Sequence, residues 1–168
     1  MNNLSKRTTL LAVSAALGTA LLAPGIALGQ SVKDQIVGTW RLVSIYNEVN
    51  GTKTNLYGEK PAGLLVFDKA GNSISMIAKP DIPKFAKANR LQGTDAEYRA
   101  VVQSIISGFG TYTVEGDTVT IKTIASSYPN RSGTTEKRVM KISGDKLTTV
   151  NPTAASGGTA YANYVRAN

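Results

Sequence analysis

The chain has 168 residues, of which 42% are hydrophobic, and a formal net charge of +8 at pH 7. It contains no cysteine and no histidine. This excludes disulfides, Ser-His-Asp and Cys-His nucleophilic systems, the usual His/Cys zinc sites and haem ligated by either residue. We therefore expect no cofactor and no metal. The basic residues are dispersed along the chain, which predicts a solvated surface rather than a nucleic-acid site.

The first 29 residues have the pattern of an export signal. Two basic residues precede residues 8–23, which are uncharged and mostly apolar, and the small-x-small sequence Ala-Leu-Gly ends at Gly29. The apolar run is too short for a stable membrane span. We expect cleavage before Gln30, a periplasmic or secreted protein without a membrane span, and one folded domain over residues 30–168.

The folded part opens with a short helical turn over residues 32–37. The first strand follows Gly38, and its alternation predicts that one face points into the barrel. That face consists of Trp40, Leu42, Ser44 and Tyr46. Asn50-Gly51 after the strand is typical of a tight two-residue turn.

A hairpin, a break and a helix come next along the chain. Residues 62–68 and 73–78 predict paired strands, and the second strand offers Ile74, Met76 and Ala78 as its apolar set. Residues 79–93 contain two prolines and interrupt the pattern. A capping box then begins at Thr94, and apolar residues recur at helical spacing as far as Phe109, which predicts one helix ended by Gly108 and Gly110.

The remainder of the chain reads as strands and turns. Strand-like runs cover residues 110–114, 118–125, 135–142, 147–151 and 159–166. With the earlier runs this gives eight short antiparallel strands, and the helix falls between strands 3 and 4. The pattern predicts an all-β, up-and-down β-barrel. A β-sandwich and a curled α+β sheet are the alternatives, although the latter favours more helices at its start.

The two ends of this region predict how the barrel closes. Gly38 allows a tight entry into the first strand. The indole of Trp40 fills the base, and the guanidinium of Arg166 in the last strand stacks on it. We assign these three residues to structure rather than to a functional site.

Several sequence blocks together resemble the lipocalin-like domain family of bacteria and fungi. They are Tyr-Gly-Glu-Lys-Pro-Ala-Gly from Tyr57, the blocks that begin at Lys79 and Gly93, Phe-Gly-Thr-Tyr-Thr-Val from Phe109, and Pro-Asn-x-x-Gly from Pro129. The resemblance extends over residues 37–166. It implies an eight-stranded calycin-type barrel without implying one particular activity.

This chain departs from that family at two places. Members often carry a histidine in the strand that here reads Thr-Ile-Lys-Thr over residues 120–123, and an aromatic residue where this chain has Arg131. If those residues contribute to chemistry in relatives, that chemistry is missing here. The departures favour a binding protein over an enzyme, and we assign no catalytic residue.

A barrel of this size has room for one small ligand. The strand alternation sends Glu136, Arg138, Met140 and Ile142 inward, because Lys137 and Lys141 should face water. The ligand-binding candidates are Tyr46, Met76, Tyr112, Thr123 and Arg138. An inward Arg138 can hold a carboxylate in bidentate fashion. The alternative is that it pairs with Glu136, since buried charges are usually paired.

Three functions remain open at this point. The first is a binding protein for a small hydrophobic or amphipathic molecule inside the barrel, either without a carboxylate or with one that Arg138 anchors. The second is an isomerase or cyclase that uses Tyr, Arg or Glu. The third is a sealed barrel that presents a loop such as residues 79–90 to a partner. The sequence leaves the ligand and the oligomeric state open.

Overall fold

Antiparallel strands make up most of residues 31–167, the part of the chain that the computed structural model describes. The predicted export signal lies outside these residues. The elements in chain order are α1 (Val32–Gln35), β1 (Gly38–Val49), β2 (Thr52–Thr54), β3 (Ala62–Phe67), β4 (Asn72–Ala78), α2 (Asp95–Ser104), β5 (Ile105–Glu115), β6 (Thr118–Ser126), a 3-10 turn (Pro129–Arg131), β7 (Thr135–Ser143), β8 (Lys146–Asn151) and β9 (Thr159–Arg166).

The sheet closes on itself and forms a barrel. From β3 onward each strand pairs with the next in the chain, and β1 pairs with both β3 and β9. The short β2 only extends one end of β1, through a turn in which Asn50 and Gly51 have φ of 49° and 80°. The remaining eight strands form the predicted antiparallel barrel, which is confirmed, with α2 between its third and fourth strands.

A β-bulge in β1 changes which side chains face the interior. The pairing of β1 with β9 shifts register between Leu42 and Ser44. Trp40 and Leu42 are buried as predicted, but beyond the bulge the buried positions are Ile45 and Asn47. The prediction that Ser44 and Tyr46 continue the inner face is wrong, because one extra residue in a strand reverses the alternation that follows it.

The prediction for β4 is also wrong in phase. Ile74 and Met76 lie on the outer face, with exposed fractions of 57% and 47%. Ser73, Ser75 and Ile77 alternate with them and line the interior. The sequence pattern is misleading here because the barrel interior at this level is a partly polar cavity, so serines rather than apolar residues face inward.

The helix α2 is shorter than its apolar spacing predicts. The predicted capping box is confirmed: Thr94 accepts from the backbone of Glu97, and Glu97 accepts from the backbone of Thr94. The helix ends at Ser104, and the following isoleucines begin β5. Gly108 and Gly110 therefore lie within a strand instead of ending a helix. A Cβ at Gly110 would collide with the Lys122 carbonyl, so glycine is needed in β5 beside the β-bulge of β6.

One end of the barrel is sealed by a packed core. Its largest fully buried side chains are Trp40, Phe67, Ile36, Leu65, Met140, Leu147 and Val119. The indole Nε1 of Trp40 donates to the Ile36 carbonyl at 2.8 Å, which joins α1 to the first strand. We refer to this end as the closed base, and to the opposite end as the mouth.

Arg166 ties the two ends of the domain together at the closed base. Its guanidinium lies 4.1 Å from the centroid of the Trp40 ring. Its Nη atoms donate to the carbonyls of Val37 and Gln35 at 3.1 and 2.9 Å. Gly38 has φ of 136°, and a Cβ there would come within 2.8 Å of an Arg166 nitrogen. The positive φ is what favours glycine at this position, beside the Arg166 guanidinium.

Candidate functional site

The interior of the mouth half contains two small cavities. One, which we call the Asn47 lobe, has a volume of about 60 Å³ and is bordered by Ile45, Asn47, Thr149 and Asn151. The other, the Ser75 lobe, has the same volume and is bordered by Ser73, Ser75, Ile121, Thr123 and Ser126. Both are also lined by Ile77, Ile106, Arg131, Arg138 and Tyr164, so the two arginines lie between the lobes.

A buried charge network crosses this interior. One carboxylate oxygen of Glu136 accepts from Arg138 Nη2 at 2.9 Å. The other oxygen lies 3.2 Å from Arg131 Nη2 and accepts from Asn151 Nδ2 at 3.1 Å. Two guanidinium groups thus face one carboxylate, which leaves one excess positive charge. Excess charge in a buried site is costly unless another group compensates it.

Arg138 has a donor that the described residues leave unsatisfied. Its side chain is only 13% exposed, and its Nε has no hydrogen-bond partner among residues 31–167. A buried donor without an acceptor costs free energy. The pairing with Glu136 was the alternative interpretation of Arg138, and that pairing is present. It uses Nη2 of the guanidinium and leaves Nε unpaired.

Arg131 links the same network to the mouth. It lies in the 3-10 turn after β6, and its Nη2 donates to the Thr153 carbonyl at 3.1 Å in addition to its contact with Glu136. Burial lowers the pKa of the Arg131 guanidinium, and Glu136 acts in the opposite direction. An arginine nevertheless stays cationic at neutral pH, because its ordinary pKa is far above it. Arg131 therefore contributes a fixed charge at the edge of the interior.

Two tyrosines border the cavities as neutral phenols. Burial raises the pKa of Tyr164 to about 12, although Arg138 lowers it in part. Burial also raises the pKa of Tyr57, again opposed by a guanidinium, that of Arg131. Both hydroxyl groups stay protonated at neutral pH and are available to donate to a ligand.

A larger groove lies outside the interior at the mouth. It has a volume of about 450 Å³ and is lined mostly by apolar and aromatic residues, among them Leu56, Tyr57, Val102, Ile105, Tyr128 and Pro129. Tyr57, Ile106, Ala155 and Ser156 border both this mouth groove and the Asn47 lobe. The groove and the interior are therefore adjacent, separated by few side chains.

The loop between β8 and β9 covers the Asn47 lobe. It consists of residues 152–158 and is held from within by Asn47, whose Nδ2 contacts Ser156 Oγ at 2.6 Å and the Gly157 carbonyl at 3.0 Å. Arg131 holds the same loop through Thr153.

The structure brings together only two of the five ligand-binding candidates. Thr123 and Arg138 both line the Ser75 lobe. Met76 lies on the outer wall opposite Leu64. Tyr46 also lies outside, where its ring stacks on Tyr161 with 4.9 Å between centroids. Tyr46 is outside because of the bulge in β1, and Met76 is outside because the serines of β4 face inward.

Tyr112 lies near the closed base instead of the cavities. Its hydroxyl donates to the Asp68 carbonyl at 2.8 Å, and its ring packs edge-on against Phe67. Burial, with a contribution from Asp68, raises its pKa. An enzyme mechanism that pairs Tyr112 with Arg138 is not supported by this arrangement, because Tyr112 borders neither lobe.

Several lining residues were missed from the sequence. Asn47 faces inward only because of the bulge in β1, which the sequence does not reveal. Tyr57 was available as a signal, since it begins one of the family blocks. Arg131 was a second signal, because family members often carry an aromatic residue at its position. The departure was taken to mean only that a reactive residue is missing, although the arginine itself lines both lobes. Tyr164 was assigned only to the last strand.

Residues 31–167 contain neither a cluster of metal-ligating side chains nor a membrane-spanning helix. Within that range, no group of three or more Asp or Glu side chains is placed to hold a metal ion. No helix there is long and apolar enough to cross a membrane.

Comparison with known sequences gives a family and a curated relative. The sequence model of a family described as the lipocalin-like domain matches residues 37–163. A 4'-hydroxy-3'-methoxypropiophenone carrier protein from Aspergillus oryzae is 34% identical over 93 residues, which cover 49% of this chain and 84% of that protein.

Comparison with solved structures gives more distant similarities. An uncharacterized protein from Bacteroides eggerthii is 16% identical, with a TM-score of 0.41, over 77% of this chain and 98% of that one. A mutant of the fluorescent protein UnaG is 14% identical, with a TM-score of 0.37, over 80% of this chain and 98% of that one.

Proposed function

Because the chain belongs to the lipocalin-like domain family, we propose that it is a carrier that binds one small amphipathic molecule. The polar head of this molecule lies in the barrel interior beside Arg138, and its apolar body lies in the mouth groove. The observation that carries the proposal is the buried Nε of Arg138, which faces no acceptor among the described residues. A ligand oxygen that reaches this atom from the cavity would satisfy it.

The charge balance of the interior favours an anionic head group. Arg131 and Arg138 face the single carboxylate of Glu136. A ligand carboxylate would neutralise the excess positive charge and accept a charge-assisted hydrogen bond. Tyr164, which stays protonated to about pH 12, adds a neutral donor on the same wall.

The sizes of the cavities favour a ligand that is only partly enclosed. Each lobe, at about 60 Å³, admits a head group and no more. The mouth groove, at about 450 Å³, has the size and the apolar lining of a small-molecule site. A molecule with a compact polar end and an aromatic or aliphatic body fits both spaces.

The curated relative supports the same class of ligand. Its name describes a carrier of 4'-hydroxy-3'-methoxypropiophenone, which is a small aromatic molecule with polar substituents. We extend the carrier role and the size class to this chain, but not the identity of the molecule, because the anionic preference is argued from Arg131 and Arg138.

We further propose that the protein is exported and acts in the periplasm or outside the cell. The support is the pattern of residues 1–29. Mass spectrometry of the protein from fractionated cells tests this: an N-terminus at Gln30 in the periplasm or medium is expected. An intact N-terminus in the cytosol would contradict it.

Titration of matched ligands tests the binding proposal. Aryl and alkyl carboxylates identified by a thermal-shift screen are compared with their primary amides by calorimetry. We expect Arg138→Gln to weaken carboxylate binding by roughly 10- to 100-fold, because a charge-assisted hydrogen bond is lost. The amide should be affected less. Glu136 keeps Arg131 and Asn151 as partners in this variant, so the barrel should still fold.

Two variants complete this test. Arg138→Lys keeps the charge but removes the Nε donor, and we expect it to fall between the wild type and Arg138→Gln. Lys137→Gln removes a neighbouring cation that points to solvent and should leave affinity unchanged. Equal affinities for carboxylate and amide in all four proteins would overturn the anionic head group, and no binding of any small molecule would overturn the carrier role.

A further inference from the structure

A basic and partly apolar loop stands beside the mouth and is not explained by ligand binding. This segment, residues 79–91, connects β4 to the region before α2, and we call it the mouth loop. It carries four cations against the one carboxylate of Asp81, and its cations are Lys79, Lys84, Lys87 and Arg90. Three of the four cations are exposed, and so is Leu91, at 74%.

The mouth loop is held in place by α2 rather than hanging free. The Lys79 amide donates to the Ser104 carbonyl at 3.0 Å, and the Ala86 amide donates to Glu97 Oε1 at 2.6 Å. The ring of Phe85 packs against Tyr98, with 5.8 Å between centroids. These contacts occupy the inner side of the loop and leave Lys84, Lys87, Arg90 and Leu91 facing solvent.

An apolar residue of α2 is also exposed, at the mouth groove. Val102 is 75% exposed, and it lines the groove together with Lys79. Arg99 adds a further cation on the same helix, while Asp95 and Glu97 lie in its first turn. Over residues 79–104 five cations therefore face three carboxylates, and Glu97 is engaged by the backbone of the loop.

From these features we propose that the mouth loop and Val102 dock on the surface of an anionic lipid bilayer. Exposed Leu and Val side chains beside several Lys and Arg are what interfacial binding requires, since the apolar groups enter the headgroup region and the cations meet anionic lipids. A second copy of this chain is a poorer occupant, because two faces with excess positive charge repel each other. A soluble polyanion is also a poorer occupant, because it would bind the cations and leave Leu91 and Val102 exposed to water.

Docking in this way would place the mouth groove against the bilayer. An amphipathic ligand could then pass between the lipid and the barrel without crossing water. This consequence rests on the proposed carrier function, whereas the docking itself does not depend on any ligand. Experiments can therefore contradict the docking proposal and the carrier proposal independently of each other.

Vesicle sedimentation tests the docking with a matched pair of variants. Vesicles of phosphatidylcholine alone are compared with vesicles that also contain phosphatidylglycerol. We expect binding only to the anionic vesicles, weakening as salt rises. The triple variant K84Q/K87Q/R90Q should bind on the order of a hundredfold more weakly, because each cation near the surface contributes independently. The control K122Q/K137Q/K141Q removes the same charge from the barrel wall and should bind nearly as the wild type does.

A second pair of variants separates apolar insertion from charge. Leu91→Ser should weaken binding roughly tenfold, since an inserted apolar side chain is lost. Ile74→Ser, an exposed apolar residue on the outer wall, should have no effect. Equal binding by both variants, or equal capture by a soluble polyanion such as heparin, would overturn the lipid proposal. All variants must share one N-terminus, established by mass spectrometry, so that residues 1–29 do not contribute to the differences.

The absence of cysteine from the chain allows a direct measurement of orientation. An environment-sensitive fluorophore is attached to Leu91→Cys or to Ile74→Cys. Addition of anionic vesicles should shift the emission to the blue at position 91 and leave position 74 unchanged. A shift at position 74 alone, or at neither position, would overturn the proposal whether or not the barrel binds a small molecule.

Discussion

At the scale of single residues, Tyr164 shows how burial determines chemical state in this barrel. It is 5% exposed and lines both lobes beside Arg138. The folded protein favours its neutral phenol, with a pKa of about 12 instead of 10.0. The stability that this provides is complete below pH 10 and is lost as the pH rises from 10 to about 12, because only the unfolded chain ionises readily there.

This pKa shift predicts an alkaline difference between the wild type and Tyr164→Phe. Between pH 10 and 12 the free energy of unfolding of the wild type should fall by about 2–3 kcal/mol more than that of the variant. Urea titrations at several pH values measure this free energy for both proteins. The ionisation of the other tyrosines and of the lysines affects both proteins equally and does not contribute to the difference. If the free energy of unfolding changed with pH in the same way for both proteins, the raised pKa of Tyr164 would be contradicted.

At the scale of elements, local signals predict the order of the strands and miss the features that arise from their pairing. The eight-strand order, the Asn50-Gly51 turn and the capping box at Thr94 follow from local signals and are confirmed. The inward face of β7 was also predicted, because Lys137 and Lys141 alternate there with inward residues without interruption. Tyr46 was misplaced because the extra residue in β1 is a property of its pairing with β9.

The length of α2 was misjudged for a related reason. Isoleucines spaced along a short apolar run fit a helix and a strand equally well. Ile105 and Ile106 become strand residues through their pairing with β4, which no local signal reveals. The interior lining of β4 by serines is likewise a consequence of a cavity, and cavities are properties of the closed barrel.

The bulge between β5 and β6 leads to a prediction for Gly110. Gly110→Ala would place a Cβ in contact with the Lys122 carbonyl. Strands β5 and β6 would then have to move apart and lose hydrogen bonds between them. We expect a loss of about 2–4 kcal/mol in the free energy of unfolding, as for other steric conflicts within a core. Urea denaturation measures the loss, and Thr111→Ala, at the exposed neighbouring position, should cost much less. A neutral Gly110→Ala would mean that β5 approaches β6 less closely.

The contact between α2 and the mouth loop leads to a pH prediction. Hydrogen bonds from the amides of Thr94 and Ala86 lower the pKa of Glu97 below its ordinary value of 4.5. The contact is therefore complete above pH 4.5 and is lost as the pH falls through the lowered value. The protection factor of the Ala86 amide, its intrinsic exchange rate at each pH divided by its measured rate, should fall at acidic pH in the wild type. Glu97→Gln should show a lower protection factor already at neutral pH and little further change on acidification.

At the scale of the whole molecule, the ring of strands makes the barrel one cooperative unit. β1 and β9 join the ends of the sheet, and the chain has no disulfide to hold any part separately. The one tryptophan in the chain, Trp40, lies in the core of the closed base. The cavities and the mouth groove lie at the other end, so the two regions can be followed by different probes.

This geometry predicts coincident unfolding transitions. In urea, Trp40 fluorescence reports the closed base and far-ultraviolet circular dichroism reports the whole sheet, and we expect one shared midpoint. Reducing agents should not move it. A fluorophore on a single cysteine at Ile74→Cys provides a third probe on the wall. Midpoints that differ between base and wall would show that the mouth half opens independently.

The closed base also determines how the protein can be attached to a surface or to another protein. Arg166 contacts the carbonyls of Gln35 and Val37, and the Ala167 amide donates to the Thr39 carbonyl at 2.8 Å. The first and last described residues therefore leave the barrel on the side away from the mouth. A sensor chip coupled through the C-terminus would present every barrel with its entrance toward the solution, and a fused fluorescent partner would leave ligand entry unobstructed.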